Sequence, residues 1–245
     1  MNLLCSESCG LDQVGVRLAD ALARVGTGPR ERILVTGGGC ASSVAGPLEG
    51  ARHRVPLGRS LPFALGLSLA EPDRQIYAIL GDGEAAGVGG NHLLHAARRG
   101  DRVRVLVVNN EVLGAMGGFP SPATPRGGRT AVTPSGSAPR GLDIAEVTRA
   151  AGAAWVGREI VSAGELLDAL LVEFATAPTF ALLEIVAPCY PAFGQWNGFP
   201  TPESMREALE RRAVRGRGTD SAGTPEPRAT ELRVGRLWPP PERAQ

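Results

Sequence analysis

The sequence predicts an α/β domain: a mostly parallel sheet with helices on both faces. Three observations carry that expectation. Four short runs, at 32–36, 75–80, 102–108 and 179–186, are apolar at odd and even positions alike, as in strands buried on both sides. Segments of helical periodicity separate them, the alternation that produces a parallel sheet covered on both faces. The composition, 43% hydrophobic but only 4% aromatic with 33 glycines, fits a core of Val, Leu, Ile and Ala linked by tight turns.

In chain order, helical spacing first appears over 12–25 and is followed by the strand "RILVT" (32–36). A helix over 62–69 leads to "QIYAIL" (75–80), and one over roughly 89–99 leads to "RVRVLVV" (102–108). Residues 117–141 form a Gly/Pro/Ser/Thr-rich loop, long enough to indicate function or disorder. Helices over 143–151 and 163–175 begin behind the cap-like residues Asp143 and Ser162, and "TFALLEIV" (179–186) is the last strand. No internal repeat is visible. The division expected is a main domain over 1–200, a helical segment over 201–214, and a disordered Arg-, Glu- and Pro-rich tail over 215–245.

Several classes of chemistry are excluded. A net charge of +1 gives no field for nucleic acid or a membrane surface. All 26 basic side chains are arginine, so a P-loop lysine, a lysine Schiff base and pyridoxal chemistry are out. The start, "MNLLCSESCGLDQ", is too short and polar for a signal peptide, and no apolar run approaches the length of a membrane span. A soluble, cytoplasmic protein is expected, in which Cys5, Cys9, Cys40 and Cys189 are free thiols, redox groups or metal ligands.

The chemistry concentrates where two strand-like runs stop. One ends in Gly81-Asp82-Gly83 and the next in Asn109-Asn110, with 26 residues between Gly83 and Asn110. That interval holds one helix and one return strand, so both ends reach the carboxyl edge of the sheet, where open α/β sheets bind ligands. An Asp carboxylate beside an Asn carboxamide oxygen makes a hard-oxygen site suited to Mg²⁺. Glycines permit close approach of backbone and phosphate, and a following helix offers amide N–H groups to the anion. This is the layout of a metal–diphosphate site.

The segments "GDGEAAGVGGNHLLHAARR", "NNEVLGAMGG", "SPAT", "GGGCASS" and "GRSLPFALGLSLA" carry a resemblance. Across roughly residues 5–200 the chain resembles the β subunits of 2-oxoacid:ferredoxin oxidoreductases, which bind thiamine diphosphate. The resemblance implies that Asp82, Asn110 and the backbone carbonyl of Val112 ligate Mg²⁺. It places Gly39, Cys40, Ala41, Ser42, Gly58, Gly81, Gly83, Glu84, Gly114, Ala115 and Met116 around the cofactor, has the Gly89-Gly90 turn line it too, and makes Glu84 and Arg59 the catalytic candidates. It also implies that Cys5, Cys9, Cys40 and Cys189 together hold a [4Fe–4S] cluster. The implied activity is oxidative decarboxylation of a 2-oxoacid to acyl-coenzyme A and CO₂, with electrons passing through the cluster to ferredoxin. An α subunit would supply the pyrimidine-binding half of the site.

This chain departs from the family pattern in three places. Cys5 and Cys9 are separated by three residues where the family has two. The usual H-x-x-H before Gly58-Arg59 is missing, with His53 one position out of register. Met116-Gly117-Gly118-Phe119 replaces an M-T-G-G-Q segment, and no lysine is present to hold the substrate carboxylate, a role left to Arg59. Two other readings stay open: a subunit of a non-oxidative thiamine diphosphate decarboxylase or carboligase, and a non-catalytic partner subunit of the same fold. His92 and His95, three apart on a helix, are expected to serve packing or subunit contact.

Overall fold

The computed structural model describes residues 9–187, 189–215 and 231–239. Helix α1 (Leu11–Arg24) places Leu11, Val14, Leu18 and Leu22 on one buried face, the three-and-four spacing of an amphipathic helix. Strands β1 (Arg32–Thr36) and β2 (Ala51–Arg54) follow, then α2 (Ser60–Ala70), β3 (Gln75–Gly81), α3 (Gly90–Arg99) and β4 (Val103–Asn109). A small hairpin, β5 (Val112–Leu113) and β6 (Phe119–Pro120), precedes α4 (Ile144–Ala150), β7 (Trp155–Ile160), α5 (Glu165–Thr176) and β8 (Ala181–Val186). The described chain closes with α6 (Pro202–Arg212), β9 (Ala213–Arg215) and β10 (Leu232–Trp238).

Eight strands form one sheet in the order β2-β1-β3-β4-β8-β7-β10-β9. Every pair from β2 to β7 is parallel, and only β10 on β7 runs antiparallel. Alternation within strands separates two cores. Leu106 and Val108 of β4 join Leu34, Tyr77, Ile79 and Leu183 beneath α1 and α5. Val103, Val105 and Val107 join Ile33, Ile76, Leu80 and Leu182 beneath α2, α3 and α4. Tyr77, Phe174 and Phe180 are among the largest fully buried side chains, each worth about 1.5–3 kcal/mol of burial.

The chain leaves β1 toward β2 on one side and later enters β3 on the other. The carboxyl ends of β1, β3 and β4 therefore meet at a topological switch point, the ligand crevice of open α/β sheets.

Three strands depart from the sequence expectation. β2 is an edge strand with alternate exposure and too short to register as a run. β7 is fully buried yet carries Arg158 and Glu159, so its sequence shows no apolar run. The tail beyond 215, expected to be disordered, contributes β10, which pairs with β7 from Gly235 to Trp238. Val234 and Leu237 are its buried anchors, and its arginines account for the polar composition. The remainder of the tail, 216–230 and 240–245, lies outside the described residues.

Candidate functional site

A cavity of about 180 Å³ opens at the carboxyl ends of β1, β3 and β4. Gly38 to Ala41 border it after β1, Gly81 to Glu84 after β3, and Asn110 and Val112 to Met116 after β4, with Leu57 closing one side. Asp82 and Asn110, 28 positions apart in sequence, line the same space because Gly81 of β3 pairs with Val108 of β4.

Asp82 is buried at 3% exposure. Its Oδ1 accepts the Gly83 N–H at 2.9 Å and its Oδ2 accepts the Ser121 hydroxyl at 2.6 Å. Burial is the main force on its carboxyl, lifting the pKa to about 7, while the Ser121 and Gly83 hydrogen bonds oppose the rise. A buried carboxyl without a cationic partner is costly. The Asn110 Oδ1 is also buried and has no hydrogen-bond partner among the described residues. An orphaned carboxamide oxygen is a lost hydrogen bond unless a cation takes it. A raised carboxylate and an unspent amide oxygen lining one cavity fit a divalent cation with oxygen ligands.

Glu84 plays a different part. Its Oε1 accepts the Gly58 N–H at 2.9 Å, the Ser60 hydroxyl at 2.7 Å and the Ser60 N–H at 3.4 Å, tying the entry of α2 to the turn after β3. Burial raises its pKa against those three hydrogen bonds. Its Oε2 is buried without a partner among the described residues and lies over Gly37, where an added Cβ would fall 2.0 Å from that oxygen. Gly37→Ala is therefore expected to evict the carboxylate and cost about 3 kcal/mol, the upper range for overpacking. Denaturant melts of the cofactor-free protein check this; unchanged stability would place the Glu84 carboxylate elsewhere.

The turn after β3 holds the other glycines at work here. Residues Gly83–Val88 form a π-helical turn closed by the Gly89 N–H donating to the Glu84 carbonyl at 2.8 Å. A Cβ at Gly89 would lie 2.5 Å from that carbonyl. Gly89 thus shapes the turn and, like Gly90, does not line the cavity.

Of the residues expected at the site, Gly39, Cys40, Ala41, Gly81, Asp82, Gly83, Glu84, Asn110, Val112, Gly114, Ala115 and Met116 line this cavity; Ser42, Gly58 and Arg59 do not. The Ser42 hydroxyl donates to its local Gly39 carbonyl at 2.8 Å. Gly58 is buried behind Glu84. Arg59 is exposed, its guanidinium donating to the Gly58 carbonyl at 3.2 Å, because it stands at the solvent side of the α2 N-terminus. Ser121, Ser60 and Gly37 support the site and were not singled out; the signals were the segments "SPAT", "GRSLPFALGLSLA" and "GGGCASS" that contain them and the length of the 117–141 loop, which delivers Ser121 to Asp82. His53 packs its ring on Phe63, centroids 5.1 Å apart, away from the cavity-lining set. His95 borders a shallow apolar groove between α3 and α4.

Two of the described cysteines adjoin the cavity. Cys40 lines the cavity, and Cys9 packs in the apolar cluster that Cys40 also touches. Cys189 lies beside Gly114, whose Cβ position would be 3.2 Å from its Sγ. Cys5 is outside the described residues. Among the described residues, no three His, Cys, Asp or Glu side chains are grouped as a metal site, and no helix is long and apolar enough to cross a membrane.

The parallel sheet carries at its carboxyl edge one cavity lined by both Asp82 and Asn110, and the class of domain follows from the family it matches. Residues 29–185 match the model of the C-terminal TPP-binding domain of thiamine pyrophosphate enzymes. The chain belongs to that family and, within it, to the β subunits of 2-oxoacid:ferredoxin oxidoreductases. It is 32% identical over 213 residues to the 2-oxoglutarate synthase subunit KorB of Methanocaldococcus jannaschii, covering 87% of this chain and 78% of that one. Against the 2-oxoglutarate oxidoreductase subunit KorB of Mycobacterium tuberculosis it is 32% identical over 207 residues, 84% of this chain but only 54% of the longer relative. The fold matches a chain of the 2-oxoglutarate:ferredoxin oxidoreductase from Magnetococcus marinus with TM-score 0.80 at 20% identity, over 94% of this chain and 79% of that one.

Proposed function

We propose that this chain is the β subunit of a thiamine diphosphate-dependent 2-oxoacid:ferredoxin oxidoreductase, converting a 2-oxoacid to CO₂ and acyl-coenzyme A and active only with its partner subunits. The observation that carries the reading is the orphaned Asn110 Oδ1 lining one cavity with buried Asp82, in a chain of this family. Asp82, Asn110 and the Val112 carbonyl would hold Mg²⁺, and the glycine-bordered turns would admit the diphosphate. When bound, thiamine diphosphate supplies a nucleophilic carbon for the keto group and a sink for the electrons left after CO₂ departs.

This chain's residues do the rest by position. Ser121 orients Asp82 with its hydroxyl, and Leu57, Leu113, Ala115 and Met116 give the cavity an apolar wall. The described residues lining the cavity include no cation, and Arg59 faces solvent. The substrate carboxylate is then met by a basic group of a partner subunit, the α subunit being the candidate. Coenzyme A and ferredoxin complete the expected partners. Relatives named for 2-oxoglutarate make it the first acid to assay.

The four cysteines, Cys5, Cys9, Cys40 and Cys189, are proposed to hold a [4Fe–4S] cluster. Support is the family resemblance, with Cys40 lining the cavity and Cys189 beside the cavity-lining Gly114; Cys9 lies in the core cluster that Cys40 touches, and Cys5 is outside the described residues. The test is iron and acid-labile sulfide on anaerobically purified subunits, with 2-oxoacid-dependent reduction of a viologen dye measured on the complex. About four irons per chain with dye reduction is the expected result. An iron-free chain after reconstitution removes the cluster from it, and a complex that releases CO₂ without reducing dye establishes the non-oxidative reading instead.

A further inference from the structure

The segment between two of the three proposed metal ligands, Asn110 and Val112, turns on Glu111, the one described non-glycine residue with a left-handed backbone (φ 62°). Asn110 before it and Val112 after it both line the cavity, so the turn at Glu111 decides where they face. That turn is fastened from beneath by Asn109, buried at 8% exposure at the end of β4. The Asn109 Oδ1 accepts the Glu111 N–H at 3.1 Å, and its Nδ2 donates to Glu184 Oε1 at 2.7 Å. Glu184, 1% exposed on β8, accepts the Arg158 Nε at 2.8 Å through Oε2. Arg158 is itself buried and also ion-paired to Asp143.

The order of donors and acceptors along this relay is determined by charge. A guanidinium only donates and a carboxylate only accepts, so Glu184 facing Arg158 can offer Asn109 nothing but an acceptor. The carboxamide must then present its N–H₂ to Glu184 and its oxygen to the Glu111 N–H. The reversed amide would set two acceptors against each other in the buried interior and two donors against each other at the half-buried turn.

We propose that Asn109 is a positioning residue for the metal-binding turn, its amide orientation set by the buried Arg158–Glu184 pair. The inference rests on the thiamine diphosphate reading of the cavity. It is tested by reversing the polarity of the pair. Asn109→Asp alone sets a second carboxylate against Glu184, which it can meet with a donor only by taking up a buried proton at pH 8. In the double variant Asn109→Asp/Glu184→Gln, the glutamine amide donates to the carboxylate introduced at position 109. The other oxygen of that carboxylate accepts the Glu111 N–H, and the hydrogen-bond count and net charge are both restored.

Mg²⁺-dependent thiamine diphosphate binding is measured by calorimetry at pH 8 on the full chain assembled with its partner subunits, with melting temperatures for every variant. Asn109→Asp is expected to weaken binding at least tenfold, and the double variant to return within about threefold of wild type, as restored hydrogen bonds require. A general packing role would make the double variant worse than the single. The inference is overturned if Asn109→Asp binds as wild type does, or if the double variant binds no better or melts lower than the single. Wild-type protein that binds no cofactor overturns the reading of the site as well; wild-type binding with a failed reversal overturns this inference alone.

Discussion

Asp82→Asn is expected to abolish Mg²⁺-dependent thiamine diphosphate binding and, at pH 8, to make the cofactor-free chain more stable. The two effects have one cause. Asp82 is 3% exposed, and without a cation its negative charge is held only by the Gly83 N–H and the Ser121 hydroxyl. Burial therefore lifts its pKa from 3.8 to about 7. Asparagine has the same shape: its oxygen keeps the Gly83 N–H, and the Ser121 hydroxyl can rotate to accept from its amide. The substitution removes a buried charge at the cost of turning the Ser121 proton to Thr124 Oγ1 at 3.5 Å, and it also removes the anion that would hold the metal.

The pH dependence follows from the direction of the shift. Between about pH 4 and pH 7 the folded chain keeps a proton on Asp82 that the unfolded chain has released. Stability of the cofactor-free protein thus falls as pH rises through that window, by at most about 4 kcal/mol at about 1.4 kcal/mol per unit. Asp82→Asn should flatten this dependence. Urea melts of both proteins at pH 5 and pH 8, with chelator present, measure it. Metal binding competes with the same proton, so cofactor affinity in the wild type should weaken below pH 7. If the variant still bound cofactor with Mg²⁺, or unfolded more easily than wild type at pH 8, Asp82 would not be the buried anion the geometry describes.

Asp82 and Asn110 were legible because the physics that places them is local. Each follows an apolar run that stops abruptly, and parallel β3 and β4 bring the two stops together. How their supports act was not legible, because it depends on pairings remote in sequence. The segment "SPAT" pointed to the stretch holding Ser121 but not to its bond with Asp82, which spans 39 positions. Gly58 and Ser60, within "GRSLPFALGLSLA", act from behind, through Glu84. Arg59, beside them in sequence, points to solvent because consecutive residues at a helix N-terminus face different ways. β7 was invisible for a related reason: Arg158 and Glu159 look like a solvent-exposed pair until Glu184 and Arg215 stand opposite them. An Arg-rich tail gives no sign that Val234 and Leu237 dock a strand against that same β7.

Arg158→Met should destabilise the fold by about 3–5 kcal/mol, the cost of leaving one member of a buried ion pair alone. Arg158 is 3% exposed and Glu184 1%, so no water reaches the carboxylate that the substitution strands. Glu184 raises the arginine pKa against the opposing effect of burial, with Asp143 adding to it, so the guanidinium stays charged in the folded state. Asp143 loses less, being half exposed and still capping α4 through the Glu146 N–H at 2.9 Å. The stranded charge, rather than lost packing, should dominate, and a second substitution separates the two. Arg158→Met/Glu184→Gln keeps an acceptor for the Asn109 amide and removes the charge. It should recover most of the loss, to within about 1–2 kcal/mol of wild type, since neutral replacements of buried pairs are often nearly neutral in stability. Guanidinium melts of the two variants decide the matter. A double variant as unstable as the single would mean that Arg158 works through its span from β8 to the Arg233 carbonyl at 3.4 Å, pinning β10 to the sheet, and not through its charge.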